Sequence, residues 1–475
     1  MSGREYEMTV GIEVHVELDT KTKIFCSCSS SFGGEPNTRC CPVCMGLPGS
    51  LPALNAQAVE YAVMAGLATG CKISRRSAFD RKNYFYPDLP KAYQITQYDT
   101  PICKDGSVDI ETEQGRKSIG ITRIHIEEDA GKLIHGGDGM TLIDFNRCGV
   151  PLIEIVSAPD MSSSEEAKAY LKKLRALMLY IGISDCKMNE GSFRCDVNIS
   201  VRRAGDSALG VKTELKNLNS FAFAKKAIDY EFERQTAIIE AGGRIEAQTR
   251  RFEESDGKTY LMRSKESEND YRYFPEPDLL PIELSENMIK RISENMPRLP
   301  DERKAEYISS YGISTYDAEL LVSDKSVSDY FEACAALTPY RKTLANLILS
   351  ELMRFVEGDG FASHISPSNL AELATLAGEE AINASVAKKL LRRLWESDES
   401  PLAIVERENL RQINDVVWLT NLTLKAIAEN PKALSDYKAG KTVAAKSIIG
   451  KVMSKTGGLA NPSLLSDIVL AELDK

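Results

Sequence analysis

Acidic and imidazole side chains alternate with apolar ones in one segment near the start of the chain. In residues 11–18 the apolar side chains fall at even numbers, whereas Glu13, His15 and Glu17 fall at odd numbers. This period of two predicts a β-strand with one apolar face and one polar face. Two carboxylates and an imidazole on one face are costly to bury unless they hold a cation or move protons. A solvated strand at a sheet edge is the competing interpretation of this segment taken alone.

The same pattern returns in three other segments, which favours a shared site. Residues 192–203 alternate in the same way and place Arg194 and Asp196 on their polar face. Glu154 interrupts an otherwise apolar run, and residues 124–129 end in three acids. The segments together predict a sheet whose one face carries carboxylate, histidine and arginine side chains. Oxygen-rich ligand sets suit Mg²⁺, which is commonly shared with substrate phosphates, so this face supports phosphoryl transfer or other activation of an acid.

Four cysteines form two close pairs around a turn. Cys26 and Cys28 precede the turn, and Cys41 and Cys44 follow it. Each pair can supply two sulfurs to a tetrahedral thiolate site, and a site with four thiolates has no open position for chemistry. We therefore expect a structural metal here, with unrelated buried thiols as the alternative. Cys40 lies next to Cys41 and could compete with it as a ligand.

Two further segments add candidate cations. Lys82 lies in a polar segment, residues 80–97, that is broken by prolines and rich in tyrosines. Such a segment suits stacking on bases or sugars while cations meet phosphates, although an ordinary surface loop is the alternative. Lys212, Glu214 and Lys216 alternate along another predicted strand.

Length and composition bound the class of protein. A chain of 475 residues is too long for one core, so two or three domains are expected. The hydrophobic fraction of 43% and the charged fraction of 27% are typical of globular proteins. No apolar leader is evident and no run approaches the roughly 20 apolar residues of a membrane span, which predicts a cytoplasmic protein. Eleven cysteines then indicate reduced thiols or a metal site rather than a disulfide framework.

Charge is distributed unevenly along the chain. The formal net charge of −10 argues against a protein that binds nucleic acid with its whole surface. A local basic patch is still possible, because five lysines near the end follow one another with no acid between them: Lys438, Lys441, Lys446, Lys451 and Lys455. The GKT triplet at 440–442 is not a phosphate-binding loop, because Ser435 occupies the position of the first glycine. Serine-hydrolase and zinc-protease motifs are absent from the sequence.

Strand patterns and turn residues dominate the first part of the chain, and helical periodicity dominates the rest. We predict an α+β fold with a mixed-sheet domain at 1–295, a helical domain at 296–410 and a small lysine-rich helical tail domain at 411–475. Capping residues and apolar spacing predict helices at 162–181, 221–241, 341–355 and 386–395.

Six motifs, spread over the first 278 residues, carry a family resemblance. They are GIEVHVEL (11–18), RKNYFYPD (81–88), HIEEDAG (125–131), PLIEIV (151–156), ELKNLNSF (214–221) and DYRYFPEPD (270–278). Together they resemble the B subunit of the aspartyl/glutamyl-tRNA amidotransferase family, and the likeness extends over essentially the full chain, including the lysine-rich tail.

The resemblance implies a cradle domain that holds the active site, a helical domain and a tail domain that meets tRNA. It implies an enzyme that acts on glutamate mischarged on the glutamine tRNA, or on aspartate mischarged on the asparagine tRNA. In that family the side-chain carboxylate is phosphorylated by ATP with Mg²⁺, and ammonia then displaces the phosphate to give the amide. The A subunit supplies the ammonia by hydrolysing glutamine, a tunnel carries it to the B subunit, and the C subunit ties the two together.

The resemblance also implies ligand sets for two metals. Carried over by motif, His15, Glu128 and Glu154 bind Mg²⁺, with Glu13 close by as a catalytic group. The zinc ligands are Cys26, Cys28, Cys41 and Cys44. Zinc cysteines are not universal in the family, so this second site is a property of this type of sequence.

The chemistry requires cations as well. A carboxylate is a poor electrophile towards ammonia, and phosphorylation gives it a leaving group whose charge must be neutralised. Lys82, Arg194 and Lys216 are the candidate catalytic cations, and the first two are also the candidate ATP contacts. Two other functions stay open, namely a tRNA-binding scaffold subunit and a free-standing ATP-dependent amide ligase. A scaffold would need the basic tail but not the buried acids.

Overall fold

The computed structural model describes residues 5–136, 139–264, 271–356 and 361–475. The chain divides into two compact units, Met1–Leu299 and Pro300–Lys475. The first unit is built around sheets, and the second consists of helices joined by short connections. The predicted α+β fold, with a mixed sheet first and helices after it, is confirmed.

The described part of the first unit contains the strands and four helices, numbered here in chain order. The strands are β1 (Tyr6–Glu17), β2 (Lys72–Ile73), β3 (Arg76–Ser77), β4 (Asp80–Asn83), β5 (Tyr93–Thr96), β6 (Cys103–Thr112), β7 (Gly115–Glu128), β8 (Lys132–His135), β9 (Thr141–Asp144), β10 (Pro151–Ser157), β11 (Phe193–Arg203), β12 (Thr213–Lys216), β13 (Gln248–Glu253), β14 (Lys258–Ser264), β15 (Phe274–Pro275) and β16 (Ile282–Glu283). The helices are α1 (Ala56–Ala68), α2 (Ser164–Tyr180), α3 (Phe221–Glu240) and α4 (Glu286–Glu294).

Within the described residues, the main sheet has nine strands in the order β14-β13-β12-β11-β1-β10-β7-β6-β2. β12 and β13 pair in parallel and the other neighbours pair antiparallel, so the sheet is mixed. β1 lies between β10 and β11, and β10 lies between β1 and β7. The four polar segments that the sequence singled out are therefore neighbouring strands. A smaller sheet, in the order β15-β4-β5, lies beside the end of β7 and carries Lys82.

The apolar face of β1 forms part of the core. Ile12, Val14 and Val16 are at most 1% exposed, and the apolar side chains of α1, α2 and α3 join the same cluster. Burial of each such aliphatic side chain contributes about 1.5–3 kcal/mol. Ser163 and Ser220 cap α2 and α3 through their side-chain oxygens, as expected at helix N-termini. The helices predicted at 162–181 and 221–241 are thus confirmed, and the odd-numbered side chains of β1 are left on the other face.

The second unit contains the remaining helices. They are α5 (Pro300–Ser309), α6 (Thr315–Leu321), α7 (Lys325–Ala335), α8 (Arg341–Ser350), α9 (Pro367–Gly378), α10 (Ala384–Ser397), α11 (Pro401–Arg407), α12 (Val416–Ala428), α13 (Pro431–Lys438), α14 (Ala445–Lys455) and α15 (Pro462–Leu473). The helix predicted at 386–395 lies inside α10. The helix predicted at 341–355 is too long, because Glu351 leaves helical geometry with φ −122° and a 3₁₀ turn follows at Leu352–Arg354. Among the described residues, no helix is long and apolar enough to cross a membrane.

Candidate active site

Pairing across four strands brings polar side chains into one row. His15 of β1 lies opposite Glu154 of β10 and opposite Arg194 of β11. Glu154 in turn lies opposite His125 of β7. Residues directly opposite each other in a sheet point to the same face, so the four side chains meet on the polar face. Strand register thus joins segments that are far apart in the sequence.

His15, Glu127 and Glu154 form a compact group in this row. Nε2 of His15 lies 3.3 Å from Oε2 of Glu154 and 3.8 Å from Oε1 of Glu127. One ligand atom from each of the three residues lies within 4.8 Å of the other two. Nε2 of His125 lies 3.6 Å from the same two carboxylates. One imidazole and two carboxylates that converge in this way are a donor set for a divalent cation.

Glu128, which the motif resemblance put in this group, lies elsewhere. Successive residues of a strand point to opposite faces, so β7 turns Glu127 towards His15 and Glu128 away from it. The carboxylate of Glu128 pairs with Lys91 and accepts a hydrogen bond of 2.9 Å from the Ile95 N–H. Both side chains of the Lys91–Glu128 pair are buried, at 8% and 3% exposure. We therefore replace Glu128 by Glu127 in the candidate metal group.

Electrostatics favours ion pairs within the metal group. Burial opposes the charged form of His15, but its hydrogen bond to Glu154 and the charges of Glu154 and Glu127 raise its pKa to about 9. Burial likewise opposes ionisation of Glu154, yet His125 and His15 hold its pKa well below the usual range. The imidazolium of His15 thus offsets part of the negative charge of the two carboxylates at neutral pH as long as no metal binds. A metal ion must displace this proton to reach the imidazole nitrogen.

A second acidic group lies two residues back along β1. Glu13, Asp196 and Glu214 each offer a carboxylate oxygen within 4.8 Å of the other two. Lys216 pairs with Asp196 and lies 3.5 Å from Oε1 of Glu214, and Thr249 donates a hydrogen bond of 2.7 Å to Oε2 of Glu214. Burial and the surrounding carboxylates raise the pKa of Glu13. Lys216, a predicted catalytic cation, is therefore held by two acids of the chain itself.

Arg194 is held in the same way at the other end of the row. Its guanidinium lies 2.7 Å from Oδ2 of Asp129 and 3.6 Å from Oε1 of Glu17, and Arg147 lies 3.7 Å from Asp129. Burial and the charge of Asp129 raise the pKa of Glu17 to about 9. Burial opposes ionisation of Asp129, but Arg194 and Arg147 hold its pKa well below the usual range. Asp129 is thus the ionised partner of Arg194, whereas the raised pKa of Glu17 keeps that carboxyl group protonated at neutral pH.

Lys82 of β4 keeps its positive charge available. Its ammonium lies 4.8 Å from the centre of the Tyr271 ring and 5.8 Å from that of Tyr84, and it takes part in no ion pair among the described residues. Burial opposes its charge, yet the carboxylates of Glu127 and Glu154 raise its pKa. Of the three predicted cations, Lys82 is thus the one that faces the metal group without a bonded carboxylate partner in the described part of the chain.

The loop between β1 and α1 brings four thiols together, namely Cys26, Cys28, Cys41 and Cys44, with one sulfur each within 4.8 Å of the others. Cys40 turns away, and its sulfur lies 3.9 Å from Oδ1 of Asn146. Cys44 is only 4% exposed and accepts the Cys41 N–H at 3.1 Å. A hydrogen bond from the Cys26 thiol outweighs burial and lowers the pKa of Cys44 to about 4, with Lys23 adding to the effect. Four convergent sulfurs, one of them already favoured as a thiolate, fit a tetrahedral zinc ion.

A cavity of about 170 Å³ adjoins the cysteine group. Lys23, Cys44, Lys91 and Glu128 all contribute to its lining. Gly149 packs where three of these side chains meet, because a Cβ atom there would lie 3.5 Å from Cβ of Cys44, 3.6 Å from Cδ of Lys23 and 3.9 Å from Oε2 of Glu128. With φ +79°, this position also favours glycine for backbone reasons.

Comparison with known proteins identifies the family to which this chain belongs. The family model described as GatB/GatE catalytic domain matches residues 8–290, which include every group described above. The chain belongs to the family of aspartyl/glutamyl-tRNA amidotransferase B subunits. A second family model, described as GatB domain, matches residues 329–473 in the helical unit. The resemblance inferred from the six motifs is thereby confirmed.

Relatives in this B-subunit family align with nearly the whole chain. The B subunit of the aspartyl/glutamyl-tRNA(Asn/Gln) amidotransferase from Caldicellulosiruptor saccharolyticus is 51% identical over 478 residues, covering 99% of this chain and 100% of the relative. The protein of the same name from Caldanaerobacter subterraneus subsp. tengcongensis is 50% identical, with the same coverage of both chains. That of Ruminiclostridium cellulolyticum is 47% identical, covering 99% of this chain and 98% of the relative. The chain is therefore part of an amidotransferase enzyme.

Sequence reasoning missed two members of the row. His125 and Glu127 were not chosen as site residues, although both lie in the acidic segment 124–129. The period-two rule would have found them, because they share one face of β7 and Glu128 takes the other. Thr249, which orients Glu214, has no comparable signal, because its contact depends on the pairing of β12 with β13.

Proposed function

We propose that this protein phosphorylates the side-chain carboxylate of glutamate on tRNA(Gln), or of aspartate on tRNA(Asn), with ATP and then converts it to the amide. The observation that carries the proposal is the group of His15, Glu127 and Glu154 facing Lys82 on one polar surface. The names of the relatives state both tRNA substrates. A partner A subunit would supply ammonia from glutamine, and a C subunit would join the two.

His15, Glu127 and Glu154 would hold Mg²⁺. The fit rests on their donor atoms and on the imidazole, whose raised pKa shows that the two carboxylates attract a positive charge. When bound, Mg²⁺ would neutralise the negative charge on phosphate oxygens. Glu13, Asp196 and Glu214 would hold a second cation, although Lys216 already offsets part of their charge.

The chain's own cations then have different roles. Lys82 would neutralise the transferred phosphoryl group and contact ATP, because no ion pair within the described residues occupies it. Arg194 and Lys216 would chiefly orient the acids that they bind, since each lies against two acidic side chains of the chain itself. Hydrogen-bonded ion pairs of this kind fix side-chain geometry and so preorganise a site.

We propose that the lysine-rich tail, residues 411–475, contacts the tRNA, and that residues 296–410 form the helical domain. Two separate apolar clusters, one within residues 307–405 and one within residues 419–473, support this division. Three of the five lysines are paired with acids, since Lys441 lies 3.0 Å from Asp436 and Lys451 and Lys455 share Glu429. Lys438 and Lys446 form no ion pair among the described residues, so they are the lysines most open to phosphates.

Isotope transfer tests the proposed chemistry in the complex of this chain with its partner subunits. The substrate is Glu-tRNA(Gln) with ¹⁸O in the side-chain carboxylate, incubated with ATP and glutamine. Phosphorylation forms a bond from a carboxylate oxygen to the γ-phosphorus, and ammonia then breaks the carbon–oxygen bond. One ¹⁸O should therefore appear in inorganic phosphate for each amide formed, as measured by mass spectrometry. Unlabelled phosphate together with product would exclude this route.

A lysine variant connects the test to the site. Lys82→Met should slow label transfer by about 10²-fold, because it removes one charge from a site of charge stabilisation. Lys104→Met, which changes an exposed lysine of β6, is the matched control and should leave the rate within twofold. A scaffold protein would show no response to Lys82→Met. A free-standing ligase would transfer label without the partner subunits and with free glutamate.

A further inference from the structure

A fully buried lysine lies beside the cysteine group. Lys23 is 0% exposed. Its ammonium lies 3.7 Å from the sulfur of Cys44 and 3.5 Å from the carbonyl oxygen of Phe145. No carboxylate of the described residues lies within ion-pair distance of it. The nearest candidate for a negative partner is therefore a sulfur atom.

Burial of this ammonium needs an explanation. Removing an unpaired charge from water is strongly unfavourable, and buried charges are normally paired. Lys91, on the same cavity, follows that rule, because it pairs with Glu128. Neutral thiols would give Lys23 no such partner. Four thiolates around one divalent cation carry an excess of two negative charges, which would stabilise an ammonium at this distance.

We propose that Lys23 is the built-in counter-ion of the cysteine metal site and sets how tightly that site holds zinc. The proposal rests on the zinc assignment made above and extends it to a residue outside the ligand set. The ammonium donates to the Cys44 sulfur and offsets the excess negative charge of the tetrathiolate. Lys23 is a positioning residue in this role, because it acts on the metal through Cys44.

The surroundings of Cys44 favour this arrangement. Cys44 is the buried ligand, whereas the other three cysteines are partly exposed and can accept hydrogen bonds from water. Apart from the ligand thiols, its sulfur receives two donors from the chain, the Cys41 N–H and the Lys23 ammonium. The stem of Lys23 passes Gly149, where a side chain would come within 3.6 Å of Cδ. A Cβ atom at that distance makes an ordinary van der Waals contact, so the lysine stem packs closely beside residue 149 on its way to the sulfur.

The experiment measures zinc affinity of the full-length chain by competition with a chromophoric chelator. Lys23→Met removes the charge but keeps the length and apolar character of the stem, and should lower zinc affinity by about 10–100-fold. Lys23→Arg keeps a cation and should recover most of that loss. Lys21→Met changes an exposed lysine of the same loop and should leave the affinity within twofold. If Lys23→Met does not fold, Lys23→Gln replaces it, since an amide keeps a donor without the charge.

A spectroscopic readout separates the charge from packing. In Co²⁺-substituted protein, loss of the ammonium raises the energy of the sulfur lone pairs, so the sulfur-to-cobalt charge-transfer band should move to longer wavelength in Lys23→Met but not in Lys21→Met. Unchanged zinc affinity in Lys23→Met overturns the proposal. Weaker zinc binding with an unmoved band and no recovery in Lys23→Arg also overturns it, because only packing would then be lost. A wild-type chain that binds no zinc refutes the zinc assignment itself, which is a distinguishable result.

Discussion

Glu127 and Glu128 are consecutive residues of β7, but their carboxylates point into regions that differ in charge. The first region has an excess of acids, and the second has one cation for its one acid. Glu127 joins Glu154 on the polar face, where two acids share the imidazole of His15. Glu128 lies on the other side of the strand, where Lys91 balances it one to one. Two buried acids without a paired cation of their own attract a cation from solution, whereas a complete buried pair does not. The first region is therefore suited to binding, and the second to holding structure.

The largest expected effect concerns the candidate metal group of His15, Glu127 and Glu154. Glu154→Gln should lower tRNA-dependent ATP turnover by about 10²–10³-fold, the loss typical of removing one charge-stabilising group. Zinc content and the glutaminase activity of the partner should stay within twofold of wild type. Glu7→Gln, at the exposed start of β1, is the matched control. If ATP turnover is unchanged in Glu154→Gln, the metal group takes no part in the reaction.

A pair of variants on neighbouring residues tests the comparison directly. Glu128→Gln should lower the free energy of unfolding by about 3–5 kcal/mol, because it leaves the ammonium of Lys91 buried without a partner. Glu127→Gln should instead weaken Mg²⁺ binding by at least about tenfold and leave stability nearly unchanged. Denaturant unfolding and Mg²⁺ titration measure the two effects. If the two variants behave alike, the division between the regions is wrong.

These neighbours also show how far sequence can predict this site. Alternation along β1, β10 and β11 located His15, Glu154 and Arg194 correctly on one face, because period two is a local property. The choice of Glu128 followed motif resemblance instead of strand parity, and the structure places Glu127, not Glu128, beside His15. Which cation stays available could not be predicted at all, since the ion pairs of Arg194 and Lys216 depend on side chains from other strands.

Loss of zinc should affect the cysteine loop and leave the candidate metal group of His15, Glu127 and Glu154 unchanged. A Cys44→Ser variant should lose the bound metal and lower the free energy of unfolding by roughly 3 kcal/mol, the size expected when a small loop loses its cross-link. Hydrogen exchange should increase within residues 20–50 and stay unchanged in β1 and β10. Mg²⁺ affinity should remain within twofold. Full retention of zinc and thermal stability in this variant would contradict the zinc assignment.

The most gradual expected effect is the pH dependence of Mg²⁺ binding. The carboxylates of Glu154 and Glu127 raise the pKa of His15 to about 9, so this imidazole carries a proton below that pH. Mg²⁺ must displace the proton, and its affinity should therefore rise by up to about tenfold per pH unit between pH 6.5 and 8.5. Calorimetry in buffers of different ionisation enthalpy should show about one proton released per ion. Binding without proton release would exclude His15 as a ligand.

The central position of β1 has a consequence for biosynthesis. The N–H of Ile12 bonds to Ser157, 145 positions further along the chain, and the partner strand on the other side, β11, follows later still. At about 5–20 residues per second, a ribosome needs roughly 7–30 s to make the intervening chain. During that time the apolar stripe of Ile12, Val14 and Val16 has no sheet to join. The nascent chain is therefore most vulnerable to aggregation before residue 157 has left the ribosome, and chaperone binding to the first strand should be strongest in that interval.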